Sequence, residues 1–84
     1  MWIRSQGKAV LIDGDRFFVD EESDGRSYIY VNGNPVASYS THERAMKVMD
    51  MIEDTILKCE AMRTRYAEYD FGAFVFDMPA DKDV

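Results

Sequence analysis

Eighty-four residues contain one cysteine, one histidine, one tryptophan and two prolines. A single thiol cannot close a disulfide within the chain, so no cross-link supplements the small core available to a domain of this length. A lone cysteine without an export signal points to a reducing, cytoplasmic setting. The same scarcity excludes a metal cluster built from Cys and His, and no metal or other cofactor is expected. Basic residues are in deficit: ten Lys and Arg stand against sixteen Asp and Glu, for a net charge of −6. That balance argues against direct binding of DNA or RNA, which calls for a basic footprint. No apolar run approaches the roughly 20 residues of a membrane-spanning helix. No apolar signal-peptide core separates Met1 from Arg4 either.

What is present divides into a strand-rich first half and a helical second half. Trp2 to Gln6, Ala9 to Asp13, Arg16 to Glu21 and Arg26 to Val31 alternate or cluster apolar residues between turn signals. Asp24-Gly25 and Asn32-Gly33 supply the positive φ of tight hairpins. The strand returning from Asn32-Gly33 runs from Val36 to Tyr39, with Pro35 at its entrance. Ser40-Thr41-His42-Glu43 follows the capping-box pattern, a hydroxyl at the N-cap and a carboxylate three residues on. From about residue 41 to about 70 no Gly or Pro interrupts a helix, and Ala73 to Met78 reads as a last strand. Residues 79–84 read as a frayed polar tail of a single domain spanning 1–84.

Thirty helical residues would measure roughly 45 Å, longer than one small sheet can cover. Ala45, Val48, Ile52, Thr55, Cys59, Met62, Tyr66 and Tyr69 form a stripe at alternating three-four spacing, widened in its first half by Met49 and Ile56. The first half is expected to face the sheet. The second half, with Cys59, Met62, Tyr66 and Tyr69, is expected to meet a partner helix in a homo-oligomer; the alternative is a kink that folds it back.

Chemistry-bearing patterns are few. His42 sits at the helix start with no companion nucleophile, and Cys59 lies on the apolar stripe as a small hydrophobe, so no catalytic residue is assigned. Asp13-Gly14-Asp15 opens like a calcium loop, but Phe17 and Phe18 occupy the positions that need a ligand and a glycine. Charge is uneven. Residues 1–10 hold Arg4 and Lys8 with no acid, whereas residues 11–25 hold Asp13, Asp15, Asp20, Glu21, Glu22 and Asp24 against Arg16 alone. In a strand, Trp2, Arg4 and Gln6 share one face: a ring to stack, a guanidinium for a phosphate and an amide for a base edge. The competing reading has Trp2 packing and Arg4 lying over it. Arg63 and Arg65, less compensated by acids than other helix cations, join Tyr66 as a second candidate anion site.

Three patches carry a resemblance. Met1-Trp2-Ile3-Arg4-Ser5-Gln6, the stretch Tyr39-Ser40-Thr41-His42-Glu43-Arg44-Ala45-Met46-Lys47-Val48-Met49-Asp50, and Val75-Phe76-Asp77-Met78-Pro79 together resemble a family of small proteins from Gram-positive bacteria and their prophages. The resemblance implies a short cytoplasmic protein of mobile elements, with a sheet, one helix and no assigned reaction.

The sequence therefore predicts an α+β domain: a twisted antiparallel sheet of five or six strands, one long helix on it, and a C-terminal strand returning beside the first. Two functions follow. One is a non-catalytic binder that sequesters a nucleotide immune signal in an oligomer, through Trp2, Arg4, Gln6, Arg63, Arg65 and Tyr66. The other is an acidic protein-binding modulator, presenting Asp20 to Asp24 with Asp50, Glu53 and Asp54 to a basic groove of a host nucleic-acid-handling complex.

Overall fold

Short alternating segments become strands, and the long Gly- and Pro-free segment becomes the helix. The computed structural model describes residues 1–65 and 75–84, with side chains described for 1–61 and 75–84. In chain order these form β1 (Trp2–Arg4), β2 (Leu11–Asp13), β3 (Phe17–Glu21), β4 (Ser27–Val31), β5 (Asn34–Tyr39), α1 (His42–Arg65) and β6 (Val75–Asp77), closed by a 3₁₀ turn at Asp81–Asp83. The class is α+β, as predicted.

The strands form two three-stranded sheets, β2-β1-β6 and β3-β4-β5, where the sequence suggested one. The corner between β2 and β3 explains the division. There the Asn32 side-chain oxygen accepts the backbone N–H groups of Asp15 (3.3 Å) and Arg16 (3.1 Å), and the Gly14 N–H donates to the Met1 carbonyl (2.9 Å). Pinned this way, the chain leaves the first sheet at Gly14 instead of folding β3 back beside β2. The last strand does lie beside the first, with Trp2 opposite Val75 and Ile3 opposite Phe76, but the pair is parallel. A connection that runs through a second sheet and a helix is long enough for such a crossover.

Within the second sheet the turn chemistry behaves as its sequence implies. Asn32 (φ 50°) and Gly33 (φ 84°) make the β4–β5 hairpin, and Gly25 (φ 83°) turns β3 into β4. Pairing of Ile29 with Ala37 and Tyr30 with Pro35 leaves Val36 as an extra residue in β5. This bulge lets the consecutive side chains of Val36 and Ala37 both be buried, which a regular strand forbids. They join Ile29, Val31 and Tyr39 from the same sheet, Ile3 from β1, Met78, and Ala45, Val48 and Ile52 of α1 in one core.

Helix α1 starts one residue later than the capping box suggested. Thr41 is the cap, its Oγ1 accepting the Arg44 N–H at 3.1 Å, while the Ser40 N–H and O–H both donate to the Asp81 carboxylate (3.1 and 3.2 Å). That carboxylate also receives the Arg44 guanidinium (3.4 Å), and the Tyr39 hydroxyl donates to the Pro79 carbonyl (2.7 Å). The segment expected to fray is therefore docked, with Val84 packed against the core. The first half of α1 faces the second sheet, as its stripe predicts. At 24 residues, about 36 Å, the helix outruns strands of five or six residues, about 17–20 Å. Just beyond Ile56, Leu57 is 61 % exposed.

Candidate functional site

The N-terminal residues read as a ligand platform lie in different surroundings. Trp2 is half-buried in β1 between Asp13 of β2 and Val75 of β6. Arg4 is exposed; its Nη1 donates to the Lys8 carbonyl (3.2 Å), and its Nε stands 3.9 Å from an Asp77 carboxylate oxygen. The Lys8 ammonium meets that same oxygen at 3.3 Å. Strand β1 ends at Arg4, so Gln6 does not continue its outward face. Instead the Gln6 amide crosses to the second sheet. Its oxygen accepts the Ser38 N–H (3.0 Å), and its nitrogen donates to the carbonyls of Ser38 (3.1 Å) and Pro79 (3.2 Å). Both amide hydrogens and the acceptor are thereby engaged within the protein.

Of the helix candidates, Cys59 is half-buried on α1. Arg63, Arg65 and Met62 lie on α1 with side chains outside the described residues, and Tyr66 and Tyr69 lie wholly outside them. His42 is exposed at the helix start.

A denser constellation occupies the face of β3-β4-β5 turned away from α1. Register places Phe18 of β3 opposite Tyr30 of β4, and Asp20 opposite Tyr28. Phe18 and Tyr30 stack with ring centroids 4.9 Å apart and planes within 5°, and Phe18 remains 42 % exposed. Acids from the β3–β4 turn close over this row. The Tyr30 hydroxyl donates to Glu22, and the Tyr28 hydroxyl donates to Asp24 at 2.6 Å. Asp24 also accepts the Arg26 N–H (2.9 Å), while the Arg26 guanidinium turns away to the Ser38 hydroxyl and carbonyl, each at 3.2 Å.

Titration follows from these bonds. The hydrogen bond from Tyr28, helped by the Arg26 N–H, holds the Asp24 carboxyl below the ordinary carboxylate range. Donation to Glu22, with some loss of hydration, pushes the Tyr30 phenol up to about 12, and donation to Asp24 raises Tyr28. Near neutral pH the row thus presents neutral phenols oriented by carboxylates. The chemistry suits recognition: flat apolar area for packing, rings for cations and fixed acceptors for N–H donors.

A second feature lies on the opposite side of β3. A cleft of about 480 Å³ separates this strand from α1, lined by Phe17, Met46, Met49, Ile52 and Ile56 with Asp15, Arg16, Asp50 and Glu53. The acids that the sequence joined in one surface are therefore split. Asp20, Glu22 and Asp24 rim the sheet face, Asp50 and Glu53 rim the cleft, and Asp54 pairs with Lys58 at 2.8 Å on the helix. The stacked pair was missed in the sequence, although Phe18, Tyr28 and Tyr30 are all visible there. Only strand register shows which of them meet.

No helix among the described residues is long and apolar enough to cross a membrane. In comparisons with known proteins, the chain matches no protein-family model, no curated protein and no solved structure.

Proposed function

We propose that this protein is a binding module that docks on a basic surface of another protein. The observation that carries the reading is the Phe18–Tyr30 stack on an open sheet face, rimmed by carboxylates that Tyr28 and Tyr30 hold in place. Preorganised acceptors lose little conformational freedom on binding, and exposed aromatic area supplies the apolar component of an interface. In the mobile-element setting that the sequence resemblance implies, the partner is a nucleic-acid-handling protein of the host, and the acidic face occupies its basic groove. The nucleotide-sequestering reading has weaker support. It requires Arg4 to leave Asp77 and the Gln6 amide to give up three hydrogen bonds, each worth about 1 kcal/mol.

The test is affinity capture from a host lysate at low and high salt, comparing the native chain with a Phe18→Ala/Tyr30→Ala double variant and with Glu22→Gln/Asp24→Asn. The reading expects one partner, released by salt and lost with either variant. Capture that neither variant diminishes refutes it. A native mass spectrum of the same preparation reports whether the exposed Leu57 end of α1 joins two copies.

A further inference from the structure

Four strands lie at sheet edges, and the protein treats them differently. Edge strands β2 and β6 have three residues each, too short to template much pairing. At β5 the outward backbone groups are taken: the Gln6 N–H donates to the Val36 carbonyl (2.8 Å), and the Gln6 amide satisfies both the N–H and the carbonyl of Ser38. Strand β3 is five residues long, and among the described residues nothing pairs with its outer edge.

Register identifies the groups left on that edge. Asn32 donates to the Arg16 carbonyl and Glu22 to the Arg26 carbonyl, so the hydrogen-bonded partners in β3–β4 are the pairs in phase with Arg16–Asn32 and Glu22–Arg26. Phe18 and Asp20 are in that phase and direct their backbone groups to β4. By alternation, the N–H and carbonyl groups of Phe17, Val19 and Glu21 point outward. The side chains of Phe17 and Val19 face α1, and Phe17 lines the cleft together with Met46 and Met49. A strand added here would lay its inward residues over that apolar floor. Asp15, Asp50 and Glu53 line the same cleft with Arg16 as the opposing charge, while Asp20 lies beside Phe18 on the other face of the strand.

We propose that the β3 edge, unpaired among the described residues, accepts a strand of alternating apolar and basic residues from the partner protein. Apolar residues of that strand fill the Met46–Met49 cleft, its Lys or Arg residues alternate onto the opposite face beside Phe18, Asp20 and the Glu22 and Asp24 carboxylates, and its backbone continues the β3-β4-β5 ladder. Charge favours this occupant over a second copy, because two chains of net charge −6 repel one another whereas a basic strand is attracted. The inference rests on the protein-binding reading and specifies how the partner is held.

The experiment uses the full isotopically labelled chain and four blocked octapeptides: one alternating Val and Lys, its Val–Glu counterpart, and two Val–Lys peptides N-methylated on alternate amides, one in each phase. Titrations followed by amide NMR and hydrogen exchange are expected to show the Val–Lys peptide slowing exchange at Phe17, Val19 and Glu21. The Val–Glu peptide should not bind, and one N-methylated phase should lose at least about tenfold in affinity. Val19→Pro, which removes an outward donor while leaving the β4 bonds in place, should reproduce that loss. The N-methylated peptides decide the matter even if this variant does not fold. No binding, equal binding of both methylated phases, or protection confined to Phe18, Tyr28 and Tyr30 would overturn the edge proposal. In the last case the sheet-face reading survives, and it fails separately if partner capture ignores the Phe18 and Tyr30 substitutions.

Discussion

Gln6 separates a structural role from a ligand-binding one, and its replacement by Ala tests which applies. The amide ties the first sheet to β5 and to the segment after β6 through three hydrogen bonds of 3.0 to 3.2 Å. Two of the acceptors keep another donor when it is removed: the Ser38 carbonyl retains Arg26, and the Pro79 carbonyl retains Tyr39. The Ser38 N–H is orphaned. Counting about 1 kcal/mol per bond, reduced where a second donor remains, the loss comes to about 2 kcal/mol. For a domain of this size that lowers the melting temperature by roughly 8–16 °C. Gln6→Glu adds a pH signature. Its carboxylate still accepts the Ser38 N–H but faces two carbonyls, so its folded-state pKa rises above the unfolded value. The variant then recovers stability as pH falls towards 4 and loses it as pH rises through the elevated value. Urea denaturation of both variants between pH 4 and pH 8 measures this directly. A Gln6→Ala protein within about 0.5 kcal/mol of the native chain would refute the strut and return the amide to the list of ligand groups.

Three further outcomes follow from packing and titration. At Gly14 an added Cβ would stand 2.0 Å from Cγ1 of the buried Val31, so Gly14→Ala should destabilise by about 1–3 kcal/mol, and Val31→Ala in the same chain should recover part of the loss in a double-mutant cycle. Among the described residues the buried Ser27 hydroxyl has no hydrogen-bond partner, so Ser27→Ala should leave thermal stability unchanged or raise it, by up to about 1 kcal/mol. Stability should also fall at both ends of the pH scale. Burial, with the Asp81 charge, pushes Tyr39 up to about 12, and Glu22 does the same to Tyr30; their contribution is complete below pH 10 and lost as pH rises from there to about 12. The carboxyls of Asp81 and Asp24 lie below their ordinary value of 3.8, held there by Ser40 and by Tyr28, so their contribution is present above that pH and lost as pH falls through the lower folded values. Asp81→Asn should flatten the acid limb, as read by thermal melts across pH.

Local chemistry in the chain determined the pieces. Asn32-Gly33 and Asp24-Gly25 specify their hairpins because only a few residue types accept positive φ, and that preference needs no distant partner. The stripe from Ala45 to Ile56 picks out the buried face of α1 because helical periodicity is local too. The α+β class and the return of the last strand beside the first followed from those signals. Tertiary structure alone decided where one sheet stops and the other begins, and with it the fate of the N-terminal face. The partners of the Gln6 amide, Ser38 and Pro79, lie 32 and 73 residues away, and hydrogen bonds of that separation leave no periodicity to read. The docked tail depends likewise on Asp81 reaching Ser40, 41 residues distant. The stack of Phe18 on Tyr30 required the register of β3 against β4, which a one-residue slip would have destroyed. The elements were legible because short-range sterics and periodicity encode them; their junctions, and the face and edge that they leave open, emerge only when the long-range hydrogen bonds close.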